Sequence, residues 1–432
     1  MTYARGAIIT LAAKGLVLPI GLVSSIITAR YLGPEGRGIL ALLLVLQGIA
    51  LQFGTLGFNA SITYFLSRDK SLSSPIGSNA FLVASFMGLF TALCFFVAEQ
   101  ITPAWVLGTI DPRYLYVFLF SLPFVFYFQF FQNVFLAHQR IVAFNALDIL
   151  NRAAQLLGFA LVLVVLGFST FEAVVSLTVT LSLGGFASLV YAHRIAPLTL
   201  KFDRELFRRM FTYGLRTYVA SFLMFLVFRI SLPMINSSLG EVEAGIFSIA
   251  MQIVDMVYII PVTLGLVLFP KVSSDSADPG TLTAKVFRFS LVSMSALCFL
   301  IFLFAEPVII FLYGEEFRGA VAPLQWLLPG VVALSLVTIL NNDLAGRGLP
   351  TIVMIGPALG VAAILGGNIL FLKDMGIVAA SIATSVSSLL ILLLLSRSFL
   401  RRLSLPLKAL VIPRKHDFVP KGGFSGRGNA QE

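Results

Sequence analysis

Charged residues are scarce in this 432-residue sequence. Asp, Glu, Lys and Arg together make up 12% of it, whereas soluble domains carry about a quarter. Hydrophobic residues reach 58%, against about half in soluble domains. The composition excludes an ordinary water-soluble domain and predicts a membrane protein.

Residues that build metal, redox and catalytic sites are also few. The three histidines, His138, His193 and His416, are scattered without the spacing of metal ligands. The two cysteines, Cys94 and Cys298, fall inside apolar runs and form no CxxC pattern. The sequence contains no P-loop either. We therefore expect no metal ion and no cofactor, and an enzyme is disfavoured.

Long apolar runs are abundant instead. A helix needs about 20 residues to cross a bilayer core of about 30 Å, and twelve runs reach that length. Because they lack the alternation of an outer-membrane barrel, they predict transmembrane α-helices. The first run has no small-residue cleavage site, so it is expected to stay in the membrane. The approximate spans are 9–29, 39–66, 76–98, 114–137, 143–167, 171–193, 214–236, 244–270, 284–305, 318–345, 351–372 and 376–398.

Basic residues are distributed unevenly between the two sides of the predicted membrane. With a cytoplasmic N-terminus, 21 Lys and Arg residues lie in inner loops and termini, five lie in outer loops, and the other four of the 30 lie inside helices. This asymmetry predicts that both termini are cytoplasmic. The net charge of +10 then faces the anionic lipid of the inner leaflet, so it indicates lipid contact and not nucleic-acid binding.

The two halves of the chain share short motifs at nearly one offset. Leu32-Gly33 and Gly38-Ile39 return as Leu239-Gly240 and Gly245-Ile246, 207 residues later. Because each repeat holds six helices, the fold predicted is an all-α polytopic membrane protein with two parallel six-helix lobes around a central cavity. Further matches at offsets of 204 to 208 are 91–95 with 295–299, 98–99 with 305–306, 107–108 with 313–314, and Asn133 with Asn341.

The lobes are predicted to span residues 1–193 and 214–400. Residues 194–213 between them place Leu206, Phe207 and Met210 on one face, with arginines beside it, which predicts a linker helix lying in the cytoplasmic interface. A solvated linker is the alternative. Residues 401–432 are basic, polar and glycine-rich, so we expect a largely disordered cytoplasmic tail.

Three short motifs resemble those of a known family: ARYLGPEGRGIL at 29–40, LAHQR at 136–140 and LYGEEF at 312–317. They are similar to motifs of bacterial polysaccharide-biosynthesis membrane proteins, the lipid-linked oligosaccharide flippases of the multidrug/oligosaccharidyl-lipid/polysaccharide exporter superfamily. The resemblance covers residues 1 to about 400 and implies two six-helix lobes in the bacterial inner membrane.

The same resemblance implies the cargo and the partners. The cargo would be an undecaprenyl-diphosphate-linked oligosaccharide, a polysaccharide repeat unit, moved from the cytoplasmic to the outer leaflet by alternating access. Coupling to H+ or Na+ and contact with a polysaccharide polymerase are consistent with such a role. Two extra helices found in some members are not predicted here.

The loop at 29–40 is richer in arginine and glycine than a connection requires. Gly33 and Gly36 permit a turn that a Cβ would strain. Arg30 and Arg37 stand at the outer ends of two predicted helices, where they can reach headgroups, cap the mouth between the lobes or help to release anionic cargo.

Cations inside predicted helices are candidates for binding the diphosphate. A cation at mid-bilayer costs about 2.5 to 3.5 kcal/mol on insertion scales, so it requires a hydrated or paired environment. Our hypothesis is that Lys14, Arg216 and Arg229 form the diphosphate site. Arg216 and Arg229 lie thirteen residues apart, on nearly opposite helix faces, so at least one has another role.

Polar side chains at helical spacing predict a cavity face. Asn145, Asp148 and Arg152 form one stripe, in which the acid and the arginine can also neutralise one another as a structural pair. Gln252 and Asp255 form another. Asp255 either pairs with Arg229 or titrates during proton coupling, and pairing is the favoured interpretation. Gln129 and Asn133 offer amides that suit either sugar hydroxyls or helix-helix contacts.

Two other functions remain open on the sequence. A multidrug or cation antiporter of the same superfamily would favour acids over cations inside the membrane. A membrane-integral polymerase or glycosyltransferase would need acids or histidines on a sizeable outer loop, and the outer loops are short.

Overall fold

A computed structural model shows a bundle of α-helices. It describes residues 3–102, 108, 110–195, 197–199, 201–274, 281–346, 350–403, 406, 408, 410 and 412; among these, the side chains of 3–11, 216–217, 264–274, 281, 345–346, 350–353 and 403 are not described. The helices are α1 (Tyr3–Thr55), α2 (Phe58–Arg68), α3 (Ser73–Ile101), α4 (Pro112–Leu119), α5 (Leu122–Ala137), α6 (Ile141–Phe159), α7 (Thr170–Ile195), α8 (Arg204–Arg229), α9 (Ser231–Leu239), α10 (Glu241–Ser274), α11 (Thr281–Tyr313), α12 (Val321–Gly346), α13 (Pro350–Met375) and α14 (Ile377–Leu403).

The predicted all-α membrane fold is confirmed. Among the described residues, ten helices are long and apolar enough to cross a membrane, or eleven if the bent pair α4 and α5 forms one span. The first of these, Ala12–Thr55, breaks at Gly33 into two helices and so covers two predicted spans. All twelve apolar segments therefore fall on helices.

The break at Gly33 turns the chain back across the membrane. A straight helix of the 44 residues Ala12–Thr55 would be about 66 Å long, twice the bilayer core of about 30 Å. Gly33 has φ 66° and ψ −174°, a conformation that strains any residue with a Cβ. Gly36 has a different role from the predicted one: it is helical, and a Cβ there would lie 2.6 Å from Oγ1 of Thr170.

Positive-φ glycines repeat along the chain as the motifs do. Gly33 has φ 66° and Gly240 has φ 92°; Gly108 has φ 64° and Gly314 has φ 107°. These pairs are 207 and 206 residues apart, so the backbone makes the same unusual turn at equivalent places in both halves. This observation supports the predicted internal repeat.

Side-chain contacts between distant segments agree with the predicted sidedness of the loops. The hydroxyl of Ser74 donates to the carbonyl of Pro197, and Asn79 donates to the carbonyl of Asp203. Ser74, Pro197 and Asp203 belong to predicted cytoplasmic segments, and Asn79 lies at the predicted cytoplasmic end of the span 76–98. The pattern is internally consistent, and which end faces the cytoplasm stays a prediction.

The prediction of a separate linker helix at residues 194–213 needs correction. Helix α8 starts at Arg204 and runs without a break to Arg229. Leu206 and Met210 are buried against Phe58 and its neighbours in the first half, so the apolar face packs on protein and not on lipid. The tail predicted to be disordered lies almost wholly outside the described residues, although Leu410 is buried in a core cluster of the second half.

The apolar core is shared at one end of the bundle and divided at the other. At the predicted outer end, a single cluster includes Leu40 and Leu42 of α1 together with Phe247 and Ile249 of α10. At the predicted cytoplasmic end, the described residues form two clusters. One surrounds Phe130 in the first half, and the other surrounds Leu340 in the second half.

The backbones of the two halves come into direct contact where the repeated motif provides glycine. A Cβ on Gly38 would overlap the carbonyl of Glu241, and a Cβ on Gly245 would overlap the carbonyl of Pro34. The contact is reciprocal, because the first glycine of each motif bends the chain and the second admits the backbone of the other half. Glycine at 38 and 245 thus allows α1 and α10 to pack backbone against backbone.

We predict that Gly38→Ala and Gly245→Ala each destabilise the protein. Overpacking of a close contact costs about 1–3 kcal/mol, because the backbones must separate to admit a methyl group. The measurement is the melting temperature of the purified protein in detergent. Gly366→Ala is the matched control, since no atom beyond the local backbone of its own helix lies within 4 Å of the Cβ position of this glycine. Equal melting temperatures for all three variants would contradict the packing argument.

Candidate functional site

A polar cavity lies beneath the contact of α1 with α10. Its volume is about 140 Å³. Residues from α1, α6, α7 and α10 line it, and no Asp or Glu is among them. The lining residues are Ile20, Gly21, Ser24, Ser25, Thr28, Arg37, Leu40, Leu44, Arg152, Gln155, Phe159, Leu177 and Gln252.

Arg37 is buried at the roof of this cavity. Its side chain is 8% exposed, and its guanidinium donates to Oγ1 of Thr28 at 3.1 Å and to Oγ of Ser248 at 3.2 Å. Ser248 in turn donates to the carbonyl of Gly245 at 2.7 Å. No ion pair of Arg37 occurs among the described side chains. The headgroup role offered for Arg37 is therefore wrong, because the side chain turns inward to bridge the two halves.

Arg30 joins the halves at the outermost layer. It is exposed, and its guanidinium donates to the carbonyl of Leu312 at 2.8 Å and to the carbonyl of Phe311. Those carbonyls end α11 and have no partner within their own helix, so a cation satisfies them well. Of the alternatives for Arg30, the structure favours a contact across the mouth between the halves.

Helix α6 supplies the second arginine of the cavity. Arg152 and Gln155 line it, and Arg152 pairs with Asp148 at 3.3 Å, as the four-residue spacing suggested. Both charged side chains are well exposed, at 48% and 38%, so the pair leaves the arginine accessible. Asn145 is buried and donates to the carbonyl of Ile141, so it supports the helix and does not line the cavity.

Helix α10 carries a polar stripe that runs away from the Gly245 contact. Ser248 binds Arg37, Gln252 lines the cavity, and Asp255 lies one turn further on. The carboxylate of Asp255 accepts a hydrogen bond from Arg229 at 2.9 Å, with each side chain 34% exposed. The pairing favoured from the sequence is therefore present in the structure.

Lys14 does not line the cavity itself, but it lies at helical spacing from residues of α1 that do. It lies seven residues before Gly21 and fourteen before Thr28, and seven residues are about 20° short of two full helical turns. Its side chain is exposed. The face that lines the cavity therefore continues to a cation nearer the predicted cytoplasmic end. The side chain of Arg216 lies outside the described residues, so its predicted role stays a prediction.

Gln129 and Asn133 are not among the residues that line the cavity. The amide of Asn133 donates to the carbonyl of Gln129 at 2.8 Å, and Thr63 approaches Oδ1 of Asn133 at 3.4 Å. Here α5 packs against α2. The amides therefore take part in a helix-helix contact, which is one of the two roles considered for them from the sequence.

The hydroxyls of α1 were not predicted as site residues. Ser24, Ser25 and Thr28 line the cavity next to Arg37. Their spacing of one helical turn could have predicted a polar face. In a membrane helix, however, such hydroxyls commonly donate to a backbone carbonyl of their own helix. Thr28 does donate to the carbonyl of Ser24 at 2.9 Å while it accepts from Arg37.

Comparison with known families gives a match over the first two thirds of the chain. Residues 3–276 match the family described as "Polysaccharide biosynthesis protein". An uncharacterized membrane protein of Methanocaldococcus jannaschii is 29% identical over 192 residues, which is 42% of this chain and 37% of that protein. The match thus spans well under half the length of that relative.

Solved structures show the same fold at low sequence identity. An inward-facing multidrug resistance MATE family transporter of the MOP superfamily gives a TM-score of 0.75 at 14% identity, over 90% of this chain and 95% of that one. The lipid II flippase MurJ in an inward closed conformation gives 0.73 at 15%, over 94% and 89%. An outward-facing MATE structure gives 0.62 at 15%, over 92% and 95%.

We predict that Arg229 and Asp255 are energetically coupled. A double-mutant cycle with Arg229→Gln and Asp255→Asn should give a coupling of about 1–3 kcal/mol, between the values for exposed and buried pairs. The measurement is denaturant unfolding in detergent. The exposed pair of Asp111 and Arg113, at 2.8 Å, is the control and should couple by less than about 1 kcal/mol. Equal couplings for the two pairs would contradict the assignment.

Proposed function

The chain belongs to the family described as "Polysaccharide biosynthesis protein", and we propose that it is a membrane transporter that flips a lipid-linked oligosaccharide. The cargo is an undecaprenyl-diphosphate-linked repeat unit, which moves from the cytoplasmic to the outer leaflet. The sugar head crosses between the two halves while the isoprenoid chain stays in lipid.

One observation carries this proposal: the lining of the cavity between the halves contains Arg37 and Arg152 and no carboxylate. A diphosphate bears about two negative charges, and an arginine fork can hold phosphate oxygens with two hydrogen bonds. Gln155, Gln252 and the hydroxyls of α1 add groups that suit sugar hydroxyls. Lys14, on the same face of α1, extends the positive charge toward the predicted cytoplasmic side.

The state described corresponds to a transporter closed toward the outside. The halves share one core at the predicted outer end and have two cores at the other. A water takes about 30 Å³, so the cavity of about 140 Å³ holds a few waters or a phosphate and not an oligosaccharide. The halves must therefore separate for a sugar unit to pass, and the two separate core clusters support a separation at the predicted cytoplasmic end.

The orientation and driving force follow from charge. Both termini face the cytoplasm of a bacterial inner membrane on the positive-inside rule. An inside-negative potential favours outward movement of negative charge by about 2.3 kcal/mol per charge per 100 mV. Coupling to H+ or Na+ would need a titrating or cation-binding acid. Asp255 is engaged with Arg229 in this state, so release of that pair is the step at which such coupling would act.

A drug or cation antiporter is the second candidate, because MATE transporters share the fold. The cavity argues against it. A cationic drug would face two arginines with one acid, Asp148, paired to the second of them. Transport of a cationic dye in preference to the lipid-linked sugar would favour this alternative.

We predict that Arg152→Gln slows flipping at least about tenfold, the equivalent of one lost charge-assisted hydrogen bond. Purified protein is reconstituted in liposomes with undecaprenyl diphosphate that carries a short oligosaccharide. The measurement is the fraction of this sugar that an impermeant lectin can still bind, followed with time. Arg37→Gln and Lys14→Gln should also slow flipping.

Two controls separate binding from stability. Lys373→Gln removes an exposed cation at the predicted outer end and should leave the rate unchanged. Asp148→Asn removes the partner of Arg152 while keeping the arginine, so it should not reproduce the loss. If Asp148→Asn and Arg152→Gln slowed flipping equally, the arginine would be a structural residue and the proposed site would be wrong.

A further inference from the structure

A second cavity lies on the exterior of the first half, away from the α1–α10 contact. It has a volume of about 830 Å³, within the range of about 300–1,000 Å³ typical of ligand sites. It opens between the start of α6 and the end of α7, which are both at the predicted cytoplasmic end. The groove therefore faces lipid near one membrane interface.

The groove is apolar along its length. Ala143, Ala146 and Ala187 are small residues among its lining, and Leu150 and Phe186 are large hydrophobic side chains that stay exposed. Small residues beside large exposed ones leave a furrow in which an acyl chain can lie. No Asp or Glu is among the lining residues.

Two arginines stand in the same groove, at the helix ends. Arg140 immediately precedes α6 and Arg194 lies in the last turn of α7, and both are exposed. Neither forms an ion pair with any described carboxylate. Arg140 also lies at a helix N-terminus, whose amides favour a negative charge. An apolar furrow that ends at two unpaired cations complements a lipid with a negatively charged head.

From this arrangement we propose that the α6–α7 groove binds an anionic phospholipid. The phosphate lies between Arg140 and Arg194, and an acyl chain lies along Ala146 and Phe186. The site is separate from the cavity lined by Arg37 and Arg152, so it does not depend on the identity of the cargo. It would hold the first half against the anionic leaflet while the two halves change their separation.

The test measures lipid retention by the full-length protein. Native mass spectrometry of the detergent-purified chain, supplied with phosphatidylglycerol or phosphatidylcholine, gives the bound fraction of each lipid. Arg140→Gln and Arg194→Gln should each weaken phosphatidylglycerol binding about fivefold, the ratio that corresponds to about 1 kcal/mol per basic residue. Phosphatidylcholine binding should not change.

Two further variants keep the proposal falsifiable. Ala146→Phe fills the furrow while keeping both arginines, and it should also lower phosphatidylglycerol retention. Arg401→Gln removes an exposed arginine at the same predicted side, far along the chain, and should leave retention unchanged. An equal loss in Arg401→Gln would show bulk charge attraction and overturn the site.

The identity of the occupant is tested by competition. Undecaprenyl phosphate is added to the phosphatidylglycerol-loaded protein in increasing amounts. We expect phosphatidylglycerol to stay bound when undecaprenyl phosphate is present in equimolar amount. Complete displacement would overturn the proposal and make the groove a docking site for the carrier lipid.

Discussion

The backbones of the two halves touch at Gly38 and Gly245, and this contact fixes how α1 and α10 pack together. Two membrane-embedded halves gain little from the hydrophobic effect, since lipid is as apolar as their side chains, so close van der Waals contact between small residues must hold them together. The repeated motif supplies that contact from both sides at once. The same contact positions Ser248 to receive Arg37, which makes the buried arginine and the cavity beneath it consequences of the glycine pair.

The cavity shows how the chain tolerates cations inside the membrane. Arg37 is surrounded by hydroxyls, Arg152 has Asp148, and Arg229 has Asp255. Each arrangement lowers the cost of the charge: Arg37 is buried among hydroxyls, and both ion pairs stay partly exposed. Cations held in this way can exchange a protein partner for a phosphate, as the proposed transport of a phosphorylated lipid requires.

Much of the fold could be predicted from the sequence, because the length of each apolar run and the conformation of a glycine are local properties. The helical segments and the turn at Gly33 were predicted in this way, and so was the pair of Asp148 with Arg152, which needs only a four-residue spacing. The burial of Arg37 and the packing of Met210 were not predicted. Both depend on which surface of another helix comes opposite, and a single sequence gives no sign of that.

A distance across the predicted outer mouth reports whether the two halves separate there during transport. Spin labels at Tyr31 and Glu315, both exposed and in different halves, report the separation by pulsed electron paramagnetic resonance after Cys94 is replaced by Ala. We expect one short distance in the cargo-free protein and a second, longer one when an undecaprenyl-diphosphate-linked oligosaccharide is added. A single distance that stays unchanged while the same sample flips its cargo would contradict this expectation.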